Sequence, residues 1–303
     1  MDMCKVLYLI VITLAVISCQ NQTKSTSNVE SAQIGFDSLV SAKTTEINLM
    51  TYWDDFDFRD FARIKSPQIG EQKFVDFLGE LPTVPDSVVA KAIQSHLEKA
   101  EISSSSFQFY IKQYEHYLYD PNSPVRNEVY YASVLEYLLV SPKTDETSKI
   151  RYKMLLKIIN QNNPGSKANN FRFLDAKGTI KELHKIVAEY KMLFFYDPTC
   201  HNCEGKIKDL ANSKATNDLI DSDKLRIIAV SVHPERKLWE DNKQMIPESW
   251  INGFDVNRQV IGKGLYNVLA FPTILLLDRD NNVVLKDAPL DVTLRRLFEL
   301  TGI

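Results

Sequence analysis

Two runs of residues, KMLFFY (191–196) and LRIIAVSV (225–232), are apolar almost throughout and of strand length. Alternation of polar and apolar residues marks a strand with one face in water. An unbroken apolar run of this length marks a strand covered on both faces, as in a parallel sheet. Parallel strands need crossover connections, usually helices, so the chain between the runs must supply them. It does: Ile207, Leu210 and Ala211 share a helical face after the first run, and ERKLWEDNKQ (235–244) reads as helix after the second. FRFLDAKGTI (171–180) reads as a strand and turn, and KELHKIVAEY (181–190) as a short helix. YNVLAFPTILLLD (266–278) and NNVVLKD (281–287) read as two strands joined by the turn DRDNN, followed by a closing helix DVTLRRLFEL (291–300). Residues 162–303 therefore read as an α/β domain, its sheet parallel at the centre with an antiparallel edge.

The preceding 35–161 follow a different period. Val88, Val89, Ala92, Ile93 and Leu97 recur at the spacing of one helical face, with Asp86 placed to cap the start. Phe107, Tyr110, Ile111, Tyr114 and Tyr117 form an aromatic stripe with the same spacing, which reads as core packing, with a ligand-binding surface as the alternative. VYYASVLEYLLV and SKIRYKMLLKII continue the pattern, and prolines 82, 85, 121, 124 and 142 punctuate it. An all-helical domain of about five helices is expected, ending at the turn-rich NNPGSKANN (162–170).

The N-terminus carries a third pattern. VLYLIVITLAVIS (6–18) is too short to span a bilayer, which takes roughly 20 residues, but suits the apolar core of a signal peptide. The run ends in VISC (16–19), which resembles a bacterial lipobox. That resemblance implies cleavage after residue 18, lipid on Cys19 and a membrane contact made through the lipid anchor alone. Gln20 following the cysteine favours the outer membrane by the sorting rule for such lipoproteins. Residues 19–34 are polar and aperiodic and read as a tether, reaching about 20 Å for ~15 residues. The formal net charge of −3 gives no reason to expect a nucleic-acid partner. Four cysteines are present; with Cys4 in the signal segment and Cys19 lipidated, only Cys200 and Cys203 remain as thiols, too few for a disulfide-stapled scaffold.

The second half resembles the thioredoxin superfamily, in particular its TlpA/ResA-like periplasmic branch. The residues that carry the likeness are the pair in DPTCHNC (197–203) directly after a buried strand, the second βα unit, Phe271-Pro272-Thr273 just before a strand, and the LLLDRDNNVV hairpin with its final helix. FRFLDAKG resembles the branch's extra N-terminal segment. The resemblance implies a thioredoxin-like domain, a cis peptide bond at Pro272, and a redox-active Cys-His-Asn-Cys centre. It departs from the family at Thr199, where tryptophan is usual, and at Phe194, where thioredoxin has a buried acid that relays a proton.

The chemistry expected of these residues is thiol–disulfide exchange. A helix N-terminus favours the thiolate, so Cys200 is the expected nucleophile, with Thr199 as N-cap, and Cys203 one turn in resolves the mixed disulfide. His201, if protonated, would favour the thiolate and Glu204 would oppose it. Thr199, His201, Phe271 and Pro272 are the expected substrate-binding residues, the backbone of Phe271 offering a strand edge to a peptide. Protein thiols and disulfides are the expected substrates, together with an unidentified redox partner, and neither cofactor nor metal is expected. His233 after the second run reads as a surface-loop residue, with a proton-transfer role as the alternative; Tyr196 reads equally as a support beneath the active loop or as ordinary core. His96, His116 and His184 have no metal-ligand spacing, and Asp54, Asp55 and Asp57 read as a capped helical start among aromatics. Two other readings stand beside the enzymatic one. The protein could be a partner-binding lipoprotein that uses its helical domain, with the second domain as scaffold. Zinc on Cys200, Cys203 and a histidine would need further ligands, and the sequence has no second cysteine pair.

Overall fold

A computed structural model describes residues 46–303. The expected signal segment, the lipidation site Cys19 and the tether all lie outside the described residues. The described residues divide into two compact units, one ending at Phe107 and the other spanning Gln108–Ile303. The sequence pattern changes instead at 162, so the helices between 108 and 161 share a unit with the sheet.

In the first unit a single helical turn, Phe61–Ile64, is capped by the Asp60 carboxylate, which accepts from the Arg63 amide at 3.0 Å. A π-helical turn at Pro67–Glu71 leads into helix α1, Gln72–Glu80. Helix α2, Asp86–Ala100, buries the predicted Val88, Val89, Ala92, Ile93 and Leu97. Its N-cap is Pro85 rather than Asp86; the aspartate is the first helical residue, where its charge meets the positive end of the helix dipole. His96 on the same helix is fully buried and stacks on Trp53 with ring centroids 4.2 Å apart. Burial, then Lys99, holds its imidazole well below the usual range, so it packs as a neutral ring. Asp54 makes an exposed ion pair with Lys99 at 2.9 Å, while Asp57 closes a turn by accepting from the Arg59 amide. The sequence YWDDFDF thus lies in turns rather than at a capped helical start.

Helix α3, Ser104–Leu118, carries the aromatic stripe, of which Phe107, Tyr110, Ile111 and Tyr114 are buried. In the second unit, helix α4 (Glu128–Val140) is capped by the Asn127 side chain and helix α5 (Glu146–Ile159) by Asp145. The five helices from α1 to α5 match the helical reading of this half of the sequence.

The sheet that follows has seven strands: β1 (Arg172–Asp175), β2 (Ile180–Glu182), β3 (Tyr190–Tyr196), β4 (Leu225–Ser231), β5 (Ile251–Phe254), β6 (Thr273–Leu277) and β7 (Val283–Lys286). Their order is β2-β1-β5-β4-β3-β6-β7. Strands β3, β4 and β5 are parallel; β6 and β7 at one edge and β1 and β2 at the other are antiparallel. Consecutive residues of β3 serve opposite faces: Met192, Phe194 and Tyr196 belong to one core and Leu193 and Phe195 to the other. The first core also takes residues from helices α6 (His201–Asn212), α7 (Lys214–Asp221), α8 (Arg236–Asp241) and α9 (Leu290–Thr301). The second is filled by Phe171, Leu183, Val260 and Tyr266.

Two elements differ from expectation. Residues 181–190 form no α-helix, only the single 3-10 turn Leu183–Lys185. Asp175 accepts from the amides of Lys177 and Thr179, and Gly178 takes a φ of +83°, so the chain turns tightly and returns as β2 against β1. The unpredicted strand β5, INGF, contains Gly253, where an added Cβ would sit 2.4 Å from the ring of Phe173 on β1. Gly253→Ala should therefore lower stability by about 1–3 kcal/mol through overpacking, read from the midpoint of urea unfolding.

The helices of the second unit are joined to the sheet edge by a charge network with little exposure. Arg126 pairs with Asp287 at 2.5 Å and Glu128 at 2.7 Å, and Glu128 pairs with Lys286 at 2.9 Å. Glu128 also accepts from Asn267 Nδ2 at 2.6 Å, and Asn267 Oδ1 accepts from the Tyr119 hydroxyl at 3.1 Å. Asn267 lies in the loop that leads into β6.

Candidate functional site

Antiparallel pairing of β3 with β6 sets Phe195 beside Thr273, so the segment leaving β3 meets the segment entering β6. These segments are DPTC and AFP. The first is a turn held by Asp197: its carboxylate accepts from the Thr199 amide at 2.8 Å and the Thr199 hydroxyl at 2.6 Å, and its carbonyl accepts from the Cys200 amide at 3.0 Å. The turn delivers the chain into α6, whose N-cap is Cys200 itself, its sulfur accepting from the Cys203 amide at 3.1 Å. Thr199, expected as the cap, is instead an exposed residue tied to Asp197. The reason is the Asp-Pro turn, which occupies the threonine hydroxyl and leaves the next side chain facing the open amides.

Both cysteines are free thiols, Cys200 partly exposed and Cys203 buried. The Cys203 thiol donates to the Cys200 sulfur at 2.6 Å. On the other side stands the Phe271–Pro272 peptide bond, which is cis. The Phe271 carbonyl accepts from Cys200 Sγ at 3.6 Å and from Asn202 Nδ2 at 3.3 Å. The structure thus brings together Cys200, Cys203, Phe271, Pro272 and Asn202. His201 is exposed in the first turn of α6, and Glu204 forms an exposed ion pair with Lys208 at 2.6 Å. Hydrogen bonding to Lys208 keeps the Glu204 carboxyl below its ordinary range, and the neighbouring ammonium offsets the field it would otherwise exert on the thiols.

Burial pushes the Cys203 thiol well above its ordinary value, with its hydrogen bond to Cys200 and the nearby sulfur and Asp197 charges acting in the same direction. Linkage then has a definite sign. The unfolded chain releases this proton near pH ~8.5 and the folded chain holds it, so the stabilising contribution is complete below about pH 8.5 and is lost as pH rises. Urea midpoints at neutral and alkaline pH measure that loss. The same burial predicts that brief alkylation of the native reduced protein near neutral pH labels Cys200 and spares Cys203, which reacts only after denaturation. Peptide mass mapping distinguishes the two.

Beneath the thiols, Tyr196 is buried and its hydroxyl donates to Asn252 Oδ1 at 3.1 Å; Trp239 Nε1 donates to the same oxygen at 2.9 Å. Burial raises the Tyr196 phenol beyond titration at neutral pH. Phe194 packs in the same core as Cys203. His233 accepts from the Glu235 amide in the turn after β4, and His184 bonds the Ala168 carbonyl. Among the described residues no three His, Cys, Asp or Glu side chains converge in a metal-binding arrangement. Asp197 and Asn252 were not singled out by the sequence, and Asn202 entered only as a member of the Cys-His-Asn-Cys centre, with no role of its own. Asp-Pro is a turn signal that points to the first, but nothing local marks Asn252.

A partly exposed thiol at a helix N-cap, a buried partner in the next turn and a facing cis-proline, on a mixed sheet of this order, define a thioredoxin-like domain. Comparison with known proteins agrees. A crystal structure of a thioredoxin-like protein from Bacteroides caccae is 33% identical, covering 85% of this chain and 93% of that one with a TM-score of 0.79. The chain belongs to the family of thioredoxin-like proteins. The C-terminal domain of an uncharacterized protein from Bacteroides fragilis is 33% identical over 45% of this chain and 97% of its own, with a TM-score of 0.44. A conserved protein of unknown function from the same species is 32% identical over 45% of this chain and 98% of its own, with a TM-score of 0.43. Residues 41–162 match the model of a domain of unknown function, DUF5106. Among curated proteins none matches the chain.

Proposed function

We propose that the protein is a thiol–disulfide oxidoreductase of the cell envelope, facing the periplasm and held by lipid on Cys19, with the outer membrane as its site. Residues 1–18 would be the signal peptide, 19–34 the tether, 35–161 a helical module and 162–303 the redox module. The observation that carries the redox reading is the pairing of an accessible sulfur, Cys200, which lies beside the Phe271 carbonyl, with a buried one 2.6 Å away, Cys203. VISC at 16–19 supports the anchor.

In the reducing direction the Cys200 thiolate attacks one sulfur of a substrate disulfide. The new S–S bond joins Cys200 to the substrate and the other substrate sulfur leaves as a thiolate, which takes a proton. Cys203 then loses its proton, attacks the Cys200 sulfur and expels the second substrate thiolate. The substrate disulfide has gained two electrons and the protein has become a disulfide, which a redox partner must reduce again. The steps reverse for an oxidant. Phe271 presents its carbonyl to a bound peptide, Asn202 holds that carbonyl in place, and Thr199 and His201 flank the nucleophile on the open side.

Adding pre-reduced protein to insulin in stoichiometric excess tests the proposal. Cleavage of the insulin disulfides with matching loss of protein thiols is the expected result. No cleavage, with Cys200 inert toward small disulfides as well, would end the redox reading.

A further inference from the structure

We propose that Asn202 is a specificity-determining residue: its side-chain amide occupies the Phe271 carbonyl that an extended polypeptide substrate must take, so peptide disulfides bind in competition with it and small disulfides do not. This rests on the oxidoreductase reading and extends it to substrate choice. Phe271 stands two residues before Thr273, where β6 is paired with β3, so its backbone groups fall outside the ladder and need other partners. The carbonyl before it is already taken, since Ala270 accepts from the Thr273 hydroxyl at 2.8 Å. The Phe271 oxygen is the acceptor of this loop that faces the thiols.

A carbonyl oxygen accepts with two lone pairs, and here both are engaged. Cys200 Sγ donates to it at 3.6 Å and Asn202 Nδ2 at 3.3 Å. Ionising Cys200 removes the S–H donor but does not vacate the place. The sulfur stays tied to the Cys203 amide at 3.1 Å and the Cys203 thiol at 2.6 Å, so it still stands against the oxygen. Asn202 is different. Its side chain is exposed in the first turn of α6, and its bond is longer than the usual ~2.9 Å, so it gives way at little cost. A strand that pairs with Phe271 must replace Asn202 at this oxygen.

Chemistry defines what can replace it. An extended polypeptide brings a backbone N–H beside its own cysteine, the donor that strand addition uses. A disulfide without amides brings none and reacts at Cys200 with Asn202 still in place. The main-chain bond to Phe271 is therefore gained only against the loss of the Asn202 bond. The substrate this arrangement accepts as a strand has a free N–H next to its cysteine, as in an unfolded or loosely held segment. The same competition acts on the departing peptide, so Asn202 weakens the hold on product as well as on substrate.

The test compares an uncharged, extended peptide disulfide with hydroxyethyl disulfide, which has no amide, in the wild-type chain, Asn202→Ala and Asn202→Asp. Aspartate keeps the shape of the side chain but has no N–H to give. The ratio of kcat/KM for the peptide to that for the small disulfide should rise about threefold in both variants, the size of one exposed hydrogen bond. The rise should lie in KM for the peptide, because a side-chain swing is far faster than turnover and enters the binding equilibrium. A third substrate is the same peptide methylated on the backbone nitrogens beside its cysteine. It has no N–H to place on Phe271, so its ratio to the small disulfide should be alike in wild type and variants. A ratio that stays level or falls, a rise in one variant alone, or a rise that persists with the methylated peptide overturns the role of Asn202, while exchange with the small disulfide leaves the oxidoreductase reading intact. No exchange with the small disulfide by the wild-type chain overturns both.

Discussion

Replacing Cys200 by serine should reduce disulfide exchange by about a thousandfold or more, to the uncatalysed background, because a serine hydroxyl is neither ionised near neutral pH nor able to form the mixed disulfide. Cys203→Ser should behave differently. Its nucleophile is intact, so it makes the first bond and then stalls, leaving substrate covalently attached to Cys200. The initial rate of insulin cleavage measures the first variant, and intact mass under non-reducing conditions measures the second. The asymmetry follows from geometry: the sulfur facing the Phe271 carbonyl is partly exposed, and its partner is buried within the apolar core beside Ile207 and Phe194. Equal loss of the mixed disulfide in both variants would assign the attack to the wrong sulfur.

The second large effect is structural. Glu128→Ala should destabilise the second unit by about 3–5 kcal/mol, since it leaves Arg126 and Lys286 without a partner they share in a place with little water. For a unit of this size that is a fall in Tm of roughly 10 °C. Glu128 accepts from Arg126 at 2.7 Å, Lys286 at 2.9 Å and Asn267 at 2.6 Å. Glu128→Gln retains an acceptor for Asn267 and loses only the charge, so it should fall between wild type and the alanine variant. At Asp287 burial raises the carboxyl despite Arg126, so removing its charge relieves a desolvation penalty as well as breaking a pair. Thermal unfolding followed by circular dichroism ranks the three. An alanine variant as stable as wild type would mean that water reaches this network.

The central strands were readable because a doubly buried strand has an unmistakable composition. KMLFFY and LRIIAVSV became β3 and β4 nearly residue for residue. The positions of the cysteine pair and of Phe271-Pro272 followed from where those strands end. Strand β5 was not readable, since INGF is short and only half apolar. Its glycine is required by the ring of Phe173, far away in the chain. Residues 181–190 carry apolar side chains at helical spacing, yet the Asp175–Gly178 turn overrides that preference by committing the chain to pair with β1. The charge network was invisible for a related reason. Glu128 and Asn267 are 139 residues apart, and Arg126 and Asp287 are 161 apart. Nothing in the composition around any one of them announces the other.

The tie between Tyr119, Asn267 and Glu128 bears on how the protein can be dissected. A fragment starting at the NNPGSKANN boundary would keep both sulfurs and the proline but strip Lys286 and Asp287 of their counter-charges and free the loop that carries Asn267. A portable redox cassette cut from this chain should therefore begin upstream of Tyr119. Grafts that honour the apparent junction near residue 162 would inherit the thiols without the brace on the loop that leads to the cis-proline.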